Sequence, residues 1–139
     1  MGNSSSASSK LPALVPLTEC STERFMGTWF VQGVKPTMFE RTCSNAVEKY
    51  TLLPEGSSSN DVDIDFQYNK DEPLTSPLKS MPQKGWVQGP DRGNSGTWKV
   101  SPLWPIKMPY LILEVSDDYQ YTVIGYPSRD YGTCRSSPS

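Results

Sequence analysis

Three carboxylates stand at alternate positions, Asp61, Asp63 and Asp65, and three thiols are spread along the chain at Cys20, Cys43 and Cys134. Alternating acids could hold a hard cation through oxygen ligands. A calcium loop of the EF-hand kind, however, needs a glycine at its sixth position, which this stretch lacks. The wet face of a β-strand is the better account of the three aspartates. The chain has no histidine. That removes the usual general base, the usual zinc ligand and the histidine-activated serine or cysteine nucleophile. No metal site, no cofactor site and no catalytic residue is read from the sequence, and the expectation is a protein that is not an enzyme.

A different chemistry is written at the N-terminus. Met1-Gly2-Asn3-Ser4-Ser5-Ser6 fits the pattern for N-myristoylation of Gly2 after removal of Met1. One myristoyl chain gives marginal, reversible membrane contact, and Lys10 is the only positive charge nearby to help it. Leu11 to Leu17 is apolar but short, is broken by Pro12 and Pro16 and follows no basic cluster, so a secretory signal is not expected. Glu19 before Cys20 argues against a bacterial lipoprotein site. An acylated Gly2 would make the chain cytoplasmic and membrane-peripheral; the alternative is a secreted chain.

The elements that must position any site fit one domain of 139 residues. A net charge of −2 offers no basic field for a phosphate backbone, so no nucleic-acid partner is expected. No apolar run approaches the roughly 20 residues of a spanning helix. Residues 1–21, Ser- and Pro-rich, read as a disordered tail, and so do residues 136–139. Between them lie short β-like runs divided by Pro, Gly, Ser and Asn, without sustained helical period.

Phe25-Met26-Gly27-Thr28-Trp29-Phe30-Val31 reads as a strand entry, with a short helical turn at Thr22-Glu23-Arg24 before it. Strands are expected over 28–35, 45–53 and 61–69. The last of these places Val62, Ile64, Phe66 and Tyr68 on one face and the aspartates on the other. Asp71 to Gln83 reads as loop, and short strands follow at 85–88, with Trp86, and 96–101, with Trp98. Three prolines in the stretch from Pro102 to Pro109 argue for an apolar loop around Trp104. Strands at 110–115 and 119–126 form a hairpin across Ser116-Asp117-Asp118.

Gly27-x-Trp29, the Asp117-Asp118-Tyr119 turn between two strands, and Tyr126-Pro127-Ser128-Arg129-Asp130-Tyr131 together resemble the lipocalin family. The branch most similar is that of the bacterial lipocalins, plant temperature-induced lipocalins and apolipoprotein D. The resemblance implies an all-β, eight-stranded antiparallel up-and-down barrel over residues 22–135, holding one small apolar ligand. Trp29 and the Asp117–Tyr119 turn would mark the closed end, and Phe39 with the Trp104 loop would ring the mouth. The chain departs from that branch after Tyr131. The last strand is expected to be short or degenerate, with no C-terminal helix outside the barrel, and an open first-strand edge would favour a monomer or an edge-paired dimer. The resemblance also offers Cys43 and Cys134 as a disulfide in a secreted chain, against free thiols in the cytosol.

By this reading the function is binding, with transport or scavenging, of a fatty acid, lysophospholipid, sterol or similar small hydrophobic ligand. The residues expected to line its cavity are Val31, Phe39, Ile64, Phe66, Tyr68, Trp86, Trp104, Tyr110 and Ile112. Two alternatives stand beside it. One is a lipocalin-type enzyme acting on a carotenoid, like the xanthophyll de-epoxidases, and the other is a membrane-peripheral protective protein.

Overall fold

The chain passes from helix to strand at Gly27, whose φ of +108° lies in the region that favours glycine. Before it, Ser21 caps a single helical turn, α1 (Thr22–Phe25), by accepting a hydrogen bond from the Arg24 amide at 3.2 Å. After it come eight strands: β1 (Gly27–Val34), β2 (Cys43–Leu52), β3 (Val62–Lys70), β4 (Leu78–Val87), β5 (Thr97–Leu103), β6 (Ile106–Val115), β7 (Tyr121–Tyr126) and β8 (Tyr131–Ser136). The computed structural model describes residues 13–34, 43–70, 75–126 and 131–136. Gly2, Phe39, Arg129 and Asp130 lie outside the described residues.

Every strand pairs antiparallel with the next, and β8 pairs back onto β1, so the sheet closes into an up-and-down barrel. The closing ladder runs from Phe30 opposite Ser136 to Val34 opposite Thr133 and carries a bulge between Val31 and Gly33. The eighth strand is short, as expected, but long enough to occupy the β1 edge. The free edge on which an edge-paired dimer was to rest is therefore taken up within the chain.

Cross-strand register decides which side chains face inward, because directly opposed residues share a face. Trp29 opposes Glu48, which opposes Phe66, which opposes Met81. Tyr50 opposes Ile64, Val87 opposes Trp98, and Trp98 opposes Tyr110. Most of these belong to one buried cluster with Phe25, Val62, Val100, Ile112 and Ile124. The aspartates alternate with them: Asp63 is exposed and Asp65 half-buried, on the outer face.

Two segments expected to be loops are strands. β4 begins at Leu78 and includes Pro82, and β6 begins at Ile106 and includes Pro109. The reason lies in the ladders on either side. Pro82 opposes Asp65 of β3, whereas pairing of β4 with β5 starts only at Lys84. Pro109 opposes Lys99 of β5, and the residue the register would set against it on the β7 side lies outside the described residues. Pro82 thus has a ladder on one flank alone, the position in a sheet that tolerates a missing amide donor.

The tail expected over 1–21 also needs correction from Ala13 onward. Residues 13–21 form a strap across the β5–β6 side of the barrel. The Leu17 amide donates to Ile112 O at 2.9 Å, and Leu17 O accepts from the Gly96 amide at 3.1 Å. The Ser95 amide donates to Cys20 O at 3.0 Å, and Cys20 is 1% exposed. A side chain at Gly96 would place Cβ 2.5 Å from Leu17 O, so only glycine lets the strap lie this close. Among the described residues no helix is long and apolar enough to cross a membrane.

Candidate functional site

The floor of the barrel is a stack of rings. Phe25 at the end of α1 lies 4.9 Å from Trp29, 5.4 Å from Tyr50 and 5.5 Å from Trp98, measured between ring centroids. Trp98 stacks on Tyr110 at 5.5 Å, and the Tyr50 and Tyr110 hydroxyls share a buried hydrogen bond of 2.6 Å. The Trp29 indole donates to Phe25 O at 2.7 Å, which fastens β1 to the helix beneath it. Gly27 supplies the turn and Trp29 the plug, so the Gly-x-Trp motif works as a pair.

The second motif meets the first from the other side. In the β6–β7 hairpin the Ser116 amide donates to Tyr121 O at 2.9 Å, and Tyr119 takes a φ of +56°. Its hydroxyl accepts from the Ser21 amide at 2.9 Å. The Arg24 guanidinium sits 4.1 Å from the centroid of the Tyr119 ring and donates to Asp117 O at 3.1 Å. Asp118 accepts from the Ser116 hydroxyl at 2.8 Å and holds the turn itself. Burial pushes the Cys20 thiol up to about 11, a hydrogen bond with Tyr119 opposing the rise, and burial is also the main cause that raises Tyr119. Cys20 is therefore a packed, unionised thiol rather than a nucleophile.

The first of the three aspartates serves the same end of the molecule. Asp61 takes the Arg92 Nε at 2.8 Å and the Val87 amide at 2.9 Å, while Arg92 reaches Leu53 O at 3.0 Å and its own carbonyl accepts from the Thr22 hydroxyl at 2.7 Å. One arginine thus ties the β2–β3 loop, the β4–β5 loop and α1 together. Asp63 accepts from Asn60, and Asp65 from Gln67 and Ser80. No group of acids, thiols or imidazoles that could hold a metal occurs among the described residues.

Above the plug the inner face changes character. Phe66 and Tyr68 stack at 5.1 Å, and Met81, Gln83 and Met108 are half-buried. Of the residues expected to line a cavity, Ile64, Phe66, Tyr110 and Ile112 are buried on the inner face, and Tyr68 and Val31 are partly buried there. Ile112 and Tyr110 belong to the floor rather than the open half. The residues overlooked by sequence are Met81, Met108 and Glu48, the last 5% exposed opposite Trp29. Parity with Tyr50 on the same strand was the signal that would have found Glu48.

Trp86 and Trp104 do not line the barrel. Trp86 opposes Lys99 on the outer face, its indole donates to Ser59 O at 2.8 Å, and Lys107 Nζ lies 4.0 Å from its ring centroid. The inward neighbour is Gly85, opposite Val62, where an added Cβ would stand 3.5 Å from Ile64 Cδ1. Trp104 is 62% exposed at the tip of the β5–β6 hairpin, 6.0 Å from Trp86. Two concavities also lie outside the barrel. One of about 340 Å³ runs beside the strap at Pro16, Leu17 and Gln88, and one of about 590 Å³ lies over Lys49, Asp63, Asp65 and Lys84.

Cys43 opens β2 and Cys134 lies in β8, on opposite flanks of β1; the side chains of this offered disulfide lie outside the described residues.

A closed antiparallel barrel with a helical turn and a tryptophan plug beneath its first strand agrees with a family match. The family description "Lipocalin-like domain" fits residues 20–136. The chain belongs to the lipocalin family. Temperature-induced lipocalin-1 of Arabidopsis thaliana is 25% identical over 126 residues, covering 80% of this chain and 59% of that protein. Among solved structures, insecticyanin from the tobacco hornworm Manduca sexta superposes with a TM-score of 0.59 at 13% identity, covering 89% of this lipocalin and 65% of that chain. The cockroach allergen Per a 4 superposes with a TM-score of 0.58 at 14% identity, covering 89% and 74%. This lipocalin therefore spans about three fifths to two thirds of the length of the first two relatives.

Proposed function

We propose that this lipocalin carries or scavenges a small hydrophobic ligand, such as a fatty acid, lysophospholipid or sterol, in the open half of its barrel. The observation that carries the proposal is the change along the inner face. Rings fill the floor, while Tyr68, Met81 and Met108, beside the buried Phe66, present an apolar, half-buried surface above it. An aliphatic chain laid against such a surface gains about 0.8 kcal/mol per methylene, which gives useful affinity without a charged anchor. Two methionines favour loose selectivity, since the thioether adapts to many shapes. A binding role is preferred to carotenoid chemistry because that chemistry would need a carboxylate pair on the inner face. Among the described residues Glu48 is the only buried carboxylate, and Asp63 and Asp65 turn outward.

The test is native mass spectrometry of the protein purified from its own source, followed by titration of the delipidated protein with a long-chain fatty acid. A co-purifying lipid and a change in tryptophan emission on titration are expected. Met108→Glu, which sets a charge on the apolar wall, should weaken binding about tenfold or more while the fold persists. If no lipid co-purifies and saturating fatty acid and lysophospholipid both leave the emission unchanged, the carrier reading fails.

A further inference from the structure

The wall of this barrel is not laddered to the same height all round. β3 pairs with β4 from Val62 opposite Gly85 to Asn69 opposite Leu78. β5 pairs with β4 only from Val87 opposite Trp98 to Lys84 opposite Ser101. Towards the mouth, Leu78 to Gln83 therefore carry a ladder on the β3 flank and none on the β5 flank. Prolines set the point at which this seam stops. Continued past Lys84, the β4–β5 register would bring Gln83 to Pro102 and then Pro82 to Leu103. Hydrogen-bonded pairs alternate along an antiparallel ladder, so the next such pair is one of these two, and in either of them a proline has removed a donor.

β5 turns away from the seam at the same place. Its pairing with β6 shifts register between Val100 and Leu103, where β5 holds one residue more than β6, and a bulge of this kind bends its strand. The continued register would set Trp104 opposite Met81, about 17 Å from Trp86 along β4. Instead the Trp104 ring lies 6.0 Å from that of Trp86, and Lys107 Nζ lies 4.0 Å from the same ring, so the β5–β6 hairpin tip is folded back along the outer face of β4. Burial changes at the same boundary. Phe66 and Ile64 of β3 are 8% and 2% exposed, while Met81 and Gln83, which oppose them on β4, are only half-buried, and Ser80, Pro82 and Lys84 are exposed. At the vertex, among the described residues, the buried Ser101 hydroxyl has no hydrogen-bond partner, so no side chain draws the seam shut from the β5 side.

We propose that this wedge between β4 and the β5–β6 hairpin is a lateral portal for a single-chain amphiphile. The inference rests on the carrier reading and narrows it. The apolar chain passes sideways between Met81 and Met108 onto Phe66 and Tyr68, and the polar end stays in the wedge beside Gln83 and the unladdered backbone of β4. Because the ladder still holds at Lys84 and Ser101, the wedge passes a flexible chain methylene by methylene and obstructs a rigid fused-ring body such as a sterol. Pro82 and Pro102 keep the seam from pairing further, and Pro82 also guards the bare edge against a foreign strand.

The experiment uses the full-length, delipidated protein with palmitate as the probe. In the parent, amide hydrogens of residues 78–83 should exchange faster than those of residues 62–69 on the facing strand. Pro82→Val combined with Pro102→Val restores both donors, so exchange over 78–84 should slow and, by stopped-flow tryptophan emission, uptake and release of palmitate should slow about tenfold. Equilibrium affinity should stay within about threefold, because a portal sets rates. A second variant, Pro82→Cys with Leu103→Cys and with Cys43→Ser and Cys134→Ser, can be bridged by a short bis-alkylating reagent and compared with the same protein before bridging. Bridging should slow both rates likewise. Cholesterol should bind at least about tenfold more weakly than palmitate. If the paired or bridged seam takes up and releases palmitate at the parent rates, the portal fails and the carrier reading stands. Exchange over 78–83 as slow as over 62–69 in the parent would show a closed seam and overturn the portal as well. Cholesterol bound as tightly as palmitate would overturn the restriction to single chains. If palmitate does not bind the parent at all, the carrier reading and the portal fall together.

Discussion

The two ends of this barrel are built on opposite rules. At the closed end specific hydrogen bonds tie the segments together: α1 is held by Trp29 and Tyr119, the loops by Arg92 and Asp61, and the strap by Gly96 and Ile112. At the β5–β6 hairpin tip Leu103, Trp104 and Ile106 are more than half exposed. The closed end thereby holds the barrel together, and on the proposed reading the open end is left to meet a ligand.

Substitutions can break that contrast in a graded way. Trp29→Ala, which empties the centre of the plug and orphans Phe25 O, should cost about 3 to 5 kcal/mol by denaturant unfolding, the largest effect in the molecule. Gly96→Ala should follow at about 1 to 3 kcal/mol, because the strap must lift away from a Cβ that would otherwise sit 2.5 Å from Leu17 O. Limited proteolysis should then cut near residues 13–20 in the variant and not in the parent. Asp61→Asn, which removes the charge facing Arg92 while keeping a similar shape, should cost about 1 kcal/mol, since both side chains are only partly buried. Trp104→Ala at the open end should change stability by no more than about 0.5 kcal/mol. A Trp104→Ala penalty equal to that of Trp29→Ala would erase the distinction between the ends.

Alkali should act on the closed end first. The Cys20 pKa is raised by burial from 9.0 to about 11, so folding favours the neutral thiol. Its contribution is complete below about pH 9 and is lost as pH rises through about 11. Tyr119 shifts in the same direction, chiefly through burial, and adds to the loss. Melting temperature should therefore fall above pH 9, and Cys20→Ala should flatten that part of the profile. In the native protein Cys20 should stay unmodified by iodoacetamide at neutral pH.

What could be read from sequence depended on whether a signal was local. The alternation of Val62, Ile64, Phe66 and Tyr68 needs only period two, and the strand lies where that pattern places it. The Asp117–Tyr119 hairpin is equally local. Trp86 went astray because its face is set by the pairing of Gly85 with Val62, a choice made across strands in which the glycine, not the indole, faces the core. β4 and the start of β6 were hidden by Pro82 and Pro109; Pro82 is tolerated because the β4–β5 ladder stops short of it. Asp61 looked like one more solvated acid until Arg92, thirty-one residues on, supplied its partner. The strap was illegible because backbone groups of Leu17 and Cys20, rather than side-chain types, hold it in place.

The strap and α1 have a consequence for the order in which the molecule is assembled. They leave the ribosome before the strands they join, and their partners come late: Ser21 reaches Tyr119 across 98 residues of chain and Thr22 reaches Arg92 across 70. Contacts of such separation form slowly, because a long loop must close before any of them is made. The β2–β3 and β3–β4 hairpins can pair as they emerge, but the closed end stays unsealed until β5, β6 and β7 have been synthesised. A nascent chain stalled after β4 would therefore present Phe25 and Trp29 bare, and a chaperone that recognises aromatic surface would find its target there until β5 to β7 emerge.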